Sequence, residues 1–562
     1  MTTAAAASRY RALEALPRER TSMLPALHAI AEADGYVSPG GLAAVSRHLR
    51  VPNSELYGIA RSYNELRFEP PAGAPLEVCT GLSCRLAGSE ALAADLRASA
   101  DAGAVEVREV ACRFRCTEAP VVNVAHRYVA PADASTALTA AEPRRRRRTD
   151  AKRMLRRARA PEVRRVMAHL REPSDLGAAR ARGAYAGLEA ARRMPPAEAT
   201  AVVVASGLRG RGGAYFPTGV KWQSARAYAG PRYLVVNAEE GEPGVFKDRY
   251  LLEGDAHLVV EGLLIAAHAI EAERCFVYLN GEANASASSL ARALDEASAA
   301  GLLGATSVEV RRGAGGYVCG EESVILSSIE GERAVPRLKP PLPVERGLWG
   351  RPTVINNVET LANLPSIFRD GVEAFRAVGT PEQPGTKLIS LSGAVARPGL
   401  YEVPLGTTLR AVLEDLGGGG RDGRPVVAIV AGGPSGGLLP PSGFDVPLLG
   451  GALDAGGAAL GAGGLVVIDD STPVLEVVRH LAAYNAAESC GKCTPCREGT
   501  PRMRDLLGQI RDGEAPADAI ELLDALDEAM SSASLCGLGQ MAALPYRSAR
   551  THFLEVLTGA GR

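Results

Sequence analysis

Eight of the ten cysteines fall into two sets of four, and four thiols together are what iron–sulfur clusters and structural zinc ions take. One set is Cys490-x2-Cys493-x2-Cys496, joined by Cys536 forty residues on. A loop with x2 spacing presents three thiolates to three corners of a cube, and the distant cysteine supplies the fourth. Zinc more often draws pairs from two knuckles, so the triplet favours a 4Fe–4S cluster, with zinc and then disulfides as alternatives. The other set, Cys79-x4-Cys84 and Cys112-x3-Cys116, comes as two pairs from two loops. That suits a flat 2Fe–2S rhomb, each iron taking two thiolates. Zinc is again the alternative, though x4 and x3 gaps are less typical of its knuckles. Cys275 and Cys319 are left over. Cys275 opens the strand-like run Cys275-Phe-Val-Tyr-Leu279 and reads as a buried structural thiol.

A second chemistry lies in glycine. The segment Ser206–Trp222 holds Gly207, Gly210, Gly212, Gly213 and Gly219 beside Arg209, Arg211 and Lys221. Backbone N–H groups can approach an anionic ligand closely there, with charge from the cations. The spacing fits neither the dinucleotide fingerprint nor a P-loop, and a tight structural loop is the alternative. The preceding Ala201–Ser206 reads equally as strand or helix. A second cluster, Gly313–Ser323, carries the adjacent carboxylates Glu321 and Glu322. These could accept hydrogen bonds from ribose or ribityl hydroxyls, or simply open a helix on its dipole.

These loops need scaffolds. A strand Leu76–Val78 runs into Cys79, a helical stretch follows, and a strand Val105–Val110 leads to Cys112; Val121–Val124 is a further strand. Residues 76–138 therefore predict a small α/β domain. Residues 1–75 predict an N-terminal helical bundle: Leu24, Leu27, Ile30 and Ala31, then a Ser38–Gly41 break, then Leu42, Val45 and Leu49. Residues 139–160, with Arg144–Arg148, read as a basic linker, solvated or docked on an acidic partner. Residues 161–385 alternate helix and strand. Residues 386–470 form a small α+β module, with strands near 388–392, 426–430 and 465–468. Residues 471–562 are helical, with Val474, Leu475, Val478 and Leu481 on one face. The fold class is thus multidomain α/β and α+β. At 46% apolar and 23% charged, the 562 residues suffice for several cores. A net charge of −1 argues against a general binder of nucleic acid or anionic membranes. No apolar run approaches ~18 residues, so no membrane span is expected. The N-terminus carries Arg9 and Arg11 without a signal-peptide pattern, so a cytoplasmic protein is expected.

Five segments in order resemble one family: Gly207–Gly213, Asn237–Arg249, Gly313–Ser323, Asn356-Asn-Val-Glu-Thr360 and Glu488–Gly499. They are similar to the flavin- and NADH-binding subunit of respiratory complex I, a module shared by NAD-dependent formate dehydrogenases and NAD-reducing hydrogenases. Residues 1–138 resemble the thioredoxin-like 2Fe–2S subunit of complex I, so the chain is similar to a fusion of the two. The resemblance implies FMN, NAD, one 4Fe–4S and one 2Fe–2S cluster. It implies a hydride passed from NADH to FMN and single electrons passed to the clusters, with no catalytic acid or base required. By matching, Gly210, Arg211, Gly212, Gly213, Lys221, Asn237, Glu239, Glu240, Tyr317, Gly320, Asn356 and Asn357 would line FMN. Phe216, Glu242, Glu321, Glu322 and Lys339 would contact NADH. It also implies a thioredoxin-like fold at 76–138, a non-standard nucleotide fold at 161–385, a ubiquitin-like module at 386–470 and a 4Fe–4S domain at 471–562. His257 is read as structural.

The implied partners are other subunits of a soluble multisubunit dehydrogenase. Formate dehydrogenase comes first, with a hydrogenase or complex I-type enzyme as alternatives. A relay or assembly subunit with a decayed nucleotide site is the other class of reading. Three departures stand out. Tyr215 replaces a usual Gly and is expected to crowd or stack on the nicotinamide side. Leu342 replaces a usual Phe and weakens contact with adenine. Phe114 replaces the usual central Gly between Cys112 and Cys116. Arg113 and Arg115, flanking it, are expected to raise the potential of the 2Fe–2S cluster.

Overall fold

The computed structural model describes residues 9–99, 105–124, 127–141, 154–159, 164–172 and 174–558. The Arg144–Arg148 run, and with it most of the predicted linker, lies outside the described residues. No described helix is long and apolar enough to cross a membrane.

The N-terminal helices Met23–Asp34 and Pro39–Leu49 bury Leu24, Leu27, Ile30, Leu42, Val45 and Leu49 in one core. What reads in sequence as a break is a helix start. The Ser38 hydroxyl accepts from Gly41 N–H at 2.9 Å, and Pro39 occupies the first turn. This core extends onto Ala314, Val318 and Cys319, so the N-terminal region lies against the second glycine cluster.

The next sheet has the order Val105–Val110, Ala74–Cys79, Val122–Val124, Arg127–Val129. Its first pair is parallel, joined through helix Ser89–Ser99. Cys79 registers with Val110, which brings the two cysteine loops side by side. A second sheet is wholly parallel: Ser307–Arg312, Ala272–Leu279, Arg232–Ala238, Thr353–Asn357. Helix Ala256–Ile270, almost entirely buried, packs behind it. Residues Pro196–Ser206 are helix, which settles the strand–helix ambiguity; Gly207 ends it at φ +69°.

The third sheet runs Gly437–Leu439, Val426–Ala431, Gly464–Asp469, Thr386–Gly393, Gly399–Pro404, Ala158–Arg159. The three strands read from sequence are here. Gly399–Pro404 and Gly437–Leu439 were hidden by their flanking Gly and Pro. The C-terminal helices Val474–Ala487, Thr494–Asp512, Ala519–Ala533 and Leu544–His552 bury Val474, Leu475, Val478 and Leu481.

Candidate functional site

In the parallel sheet, Arg232–Ala238 has Ala272–Leu279 on one side and Thr353–Asn357 on the other. Strand order reverses there, and open α/β sheets bind ligands in the crevice beyond the strand ends at such a point. Asn237 and Asn357 are register partners across it. Asn237 Nδ2 donates to the Gly320 carbonyl at 2.9 Å, which ties the second glycine cluster to the strand end. Asn356 Oδ1 accepts from Trp222 Nε1 at 2.9 Å, and Lys221 Nζ donates to the Ile355 carbonyl at 3.0 Å. Burial pushes the Lys221 ammonium down from its usual range. Asn357 accepts from Lys247 at 3.1 Å and donates to Asp248 at 2.7 Å. A Cβ on Gly212 would lie 3.1 Å from Asn357 Cβ, and one on Gly320 3.3 Å from the Glu239 carbonyl. The two glycine segments and the two asparagine strand ends therefore converge on one crevice. Glu240 accepts from the N–H groups of Asp248 and Arg249 at 2.7 and 3.1 Å. Tyr317 N–H donates to Glu488 at 2.7 Å, joining the crevice to the C-terminal cysteine loop.

The crevice has unused polar capacity. Thr218 Oγ1, at the end of the first glycine segment, is buried with no hydrogen-bond partner among the described residues. Such a group costs about 1–3 kcal/mol unless something pairs with it. Small glycine walls, convergent asparagines and an orphaned hydroxyl suit a polyhydroxylated nucleotide, so these residues fit FMN.

Some expected ligands do other work. The Arg211 guanidinium is fully buried and donates to the carbonyls of Thr386, Arg209 and Pro384 at 2.9, 3.1 and 2.8 Å. It straps the crevice domain to the 386–470 module instead of offering charge to a ligand. A Cβ on Gly219 would sit 2.5 Å from Val204 N, so that glycine serves helix packing. Tyr215, at φ +51°, turns into the core of the 386–470 module with Leu448 and Phe444, where its ring fills the space over Gly450. It neither crowds nor stacks at the nicotinamide side. Glu242 packs against Gly433 and is pushed up to about 7 by burial.

Large apolar side chains are exposed on the first glycine segment and the helix after it, Phe216 and Val220, and on either side of Lys339, Leu338 and Leu342. Lys339 Nζ donates to both Glu321 and Glu322 at 2.7 Å, and Glu322 and Lys339 face Lys221, on the same helix as Val220. Exposed apolar groups near a charged trio are what a ligand cleft offers. Glu242 lies apart, in the buried junction at Gly433.

Cys79, Cys84, Cys112 and Cys116 are all buried and line one cavity with Pro243, Gly244, Gly433, Pro434, His480 and Tyr484. Contact with Cys112 and Cys84 holds the Cys79 thiol well below its usual range, while contact with Cys79 pushes Cys84 up and contact with Cys116, then with Cys79, pushes Cys112 up. Phe114 keeps the left-handed turn its position demands, at φ +54°, and its N–H donates to Cys112 Sγ at 3.3 Å. Its ring lies 4.2 Å from the Arg249 guanidinium. Cys490, Cys493, Cys496 and Cys536 line a second cavity with Val318, Pro336 and Lys492. Cys493 is the N-cap of Thr494–Asp512. Among the described residues no three His, Cys, Asp or Glu side chains converge as one metal ion would require. Clusters need no such convergence, since their thiolates bind different irons, so both sets fit the groups their spacing suggests.

Arg113 is buried between Glu77, at 2.8 Å, and Glu282; Arg115 pairs with Glu118 at 2.8 Å and lies 4.8 Å from the Tyr128 ring centre. Neither points into solvent. Cys275 is buried, its thiol pushed up to about 12 by desolvation, and His257 bridges Tyr185 and Glu296 at 2.7 and 3.0 Å. Sequence reasoning missed Glu359, buried between Lys247 at 3.2 Å and Lys387. It also missed Glu65, which carries no motif at all.

The family described as Nuo51 FMN-binding domain matches residues 203–366, and the NADH-ubiquinone oxidoreductase-F iron–sulfur binding region matches 476–558. The thioredoxin-like [2Fe–2S] ferredoxin family matches 10–142 and the SLBB domain 388–439. An NADH-quinone oxidoreductase subunit of Rhizobium meliloti is 45% identical over 66% of this chain and 90% of its own length. The HndC subunit of the NADP-reducing hydrogenase of Solidesulfovibrio fructosivorans is 42% identical over 66% and 77%. A chain of an NAD+-reducing [NiFe]-hydrogenase crystal structure superposes with a TM-score of 0.84 at 33% identity, covering 97% of this chain and 93% of that one.

Proposed function

Because this chain belongs to the family of NADH-quinone oxidoreductase subunits that carry the Nuo51 FMN-binding domain, we propose that it is the diaphorase subunit of a multisubunit dehydrogenase, with NADH bound at the exposed cleft and FMN in the crevice. FMN, when bound, supplies hydride acceptance from NADH and one-electron delivery to iron–sulfur clusters. The chain's residues bind and orient. Asn237, Asn356 and Asn357 fix the strand ends, and Gly210, Gly212, Gly213 and Gly320 admit the nucleotide. Phe216, Glu321, Glu322 and Lys339 line the entrance.

The observation that carries this reading is that each cysteine cavity touches a segment of the crevice. Pro243 and Gly244 border the first and Val318 the second. Purified protein should carry one FMN and about six irons, four plus two, and reduce ferricyanide with NADH. Protein that holds clusters but neither binds flavin nor oxidises NADH would be a relay or assembly subunit instead.

For the catalytic partner, the family resemblance puts formate dehydrogenase first. The nearly end-to-end superposition on a chain of an NAD+-reducing hydrogenase, N-terminal region included, favours a hydrogenase partner. Formate- and H2-dependent NAD+ reduction by the complex purified from its source separates the two. A cytoplasmic site of action accompanies either partner.

A further inference from the structure

We infer that Glu65 and Glu239 form one carboxyl pair behind the flavin-lining glycine segment and share a single proton, which makes the N-terminal helical region a positioning element of the flavin site. The inference rests on reading the crevice as a flavin site.

The backbone before Glu65 is pinned to two other units. Tyr63 Oη meets Ser328 Oγ at 2.8 Å, and Asn64 Nδ2 donates to Glu488 at 2.9 Å. Glu65 N–H itself donates to the Ala314 carbonyl at 3.0 Å. Its side chain then enters a niche walled by glycines. A Cβ on Gly315 would lie 2.5 Å from Glu65 Cγ, and one on Gly281 would collide with its carboxylate. Glu239 enters beside it, since a Cβ on Gly313 would lie 2.6 Å from Glu239 Oε2. Only glycines leave room for both carboxyl groups.

One oxygen of the pair is satisfied: Glu239 Oε1 accepts from Asn280 Nδ2 at 2.6 Å. Glu239 Oε2 is buried without a hydrogen-bond partner among the described residues. Two ionised carboxylates here would repel at low dielectric, and a bare buried oxygen adds its own desolvation cost.

The cations facing the niche are largely committed. Arg113 pairs with Glu77 and Glu282. Arg249 donates to Asn280 at 2.9 Å and faces Glu240 as well. Arg312 donates to the Gly281 carbonyl. His28, whose ring nitrogen sits 2.9 Å from the Gly313 carbonyl, is held below its usual range by burial and Arg312, so it brings no charge. Tyr278 and Cys319, which face Glu239, are pushed up by burial and stay neutral. Burial raises both carboxyls; the neighbouring Glu65 raises Glu239 further, and Glu77 raises Glu65 against the pull of Arg113, Arg249 and Arg312. One proton resolves the conflict. When negative charge arrives in the crevice as hydride, uptake of a second proton from water onto the pair compensates it.

The test is infrared spectroscopy of the purified protein at pH 7, with Glu65→Gln and Glu239→Gln as variants. Wild type should show a protonated-carboxyl C=O band that both variants lose, because Glu65 alone is favoured as the anion by Arg113, Arg249 and Arg312, and Glu239 alone no longer has the neighbouring Glu65 charge that favours its protonated form. The flavin midpoint of Glu65→Gln should lose one proton of its pH dependence. A band absent from wild type, or kept in either variant, overturns the inference. If a variant fails to fold, the wild-type band must vanish as pH is raised at constant FMN content, and a band that persists is equally fatal. Loss of the band in both variants of a protein that binds no FMN would keep the pair and sink the flavin reading instead.

Discussion

The two cysteine sites look alike in sequence and differ in place. All four cysteines of the first are buried, where the thioredoxin-like sheet, the 161–385 domain, the 386–470 module and the C-terminal helices meet. In the second only Cys496 is buried; Cys490, Cys493 and Cys536 are half-exposed, with Lys492 beside them. A partner protein can reach the second site by simple contact. It cannot reach the first without displacing a domain. Four thiols thus serve two mechanical roles, one a junction that holds units together and one an outward-facing terminus.

The largest expected effect tests that difference directly. Cys493→Ala should remove about four irons and leave the 2Fe–2S signal and the fold intact. Cys79→Ala should remove about two irons and also lower the unfolding temperature of the whole chain, because its cavity is shared by four units. Iron content, EPR and thermal unfolding of both variants decide it. Loss of both clusters in Cys493→Ala would show that the sites do not assemble independently, and an unchanged unfolding temperature in Cys79→Ala would remove the junction role.

The difference in place was not legible in the sequence. The grouping of the cysteines into two fours, each lining one cavity, was, because cluster chemistry fixes thiol number and spacing within a loop. Strands that feed cysteine loops and the C-terminal helix face were legible too, because periodicity reports burial locally. What failed was long-range. Arg211 reads as a free cation near a glycine loop, yet it reaches the Thr386 and Pro384 carbonyls some 175 residues on. Tyr215 reads as a neighbour of the nicotinamide, yet a positive φ turns it toward Gly450. Glu65 sits in no motif, and only the packing of the N-terminal helices on the second glycine cluster gives it a role.

The charges of the proposed nucleotide cleft set the next effect. Like charges ~5 Å apart cost roughly 3 kcal/mol at an effective dielectric of ~20, so Glu321 and Glu322 would repel a 2′-phosphate. Lys339 lies between them at 2.7 Å from each, so part of that repulsion is cancelled. NADH should still be preferred to NADPH, by about tenfold in kcat/KM, or ~1.4 kcal/mol. Glu322→Gln should bring the two nucleotides close to parity. Equal efficiency in wild type, or a preference for NADPH, would show that Lys339 dominates the cleft.

The smallest effect concerns the enclosed site and its two arginines. A unit charge ~7 Å from the 2Fe–2S cluster is worth about 2.4 kcal/mol at an effective dielectric of ~20, at most ~100 mV for a one-electron couple. Reduction adds negative charge, so removing either cation should lower the midpoint. Both cations have carboxylate partners, Glu77 and Glu282 for Arg113 and Glu118 for Arg115. Arg113→Gln and Arg115→Gln should each lower the midpoint by a few tens of millivolts in an EPR redox titration at low ionic strength. A midpoint unchanged within ~10 mV in either variant would mean that the partner carboxylates already cancel that cation at the cluster.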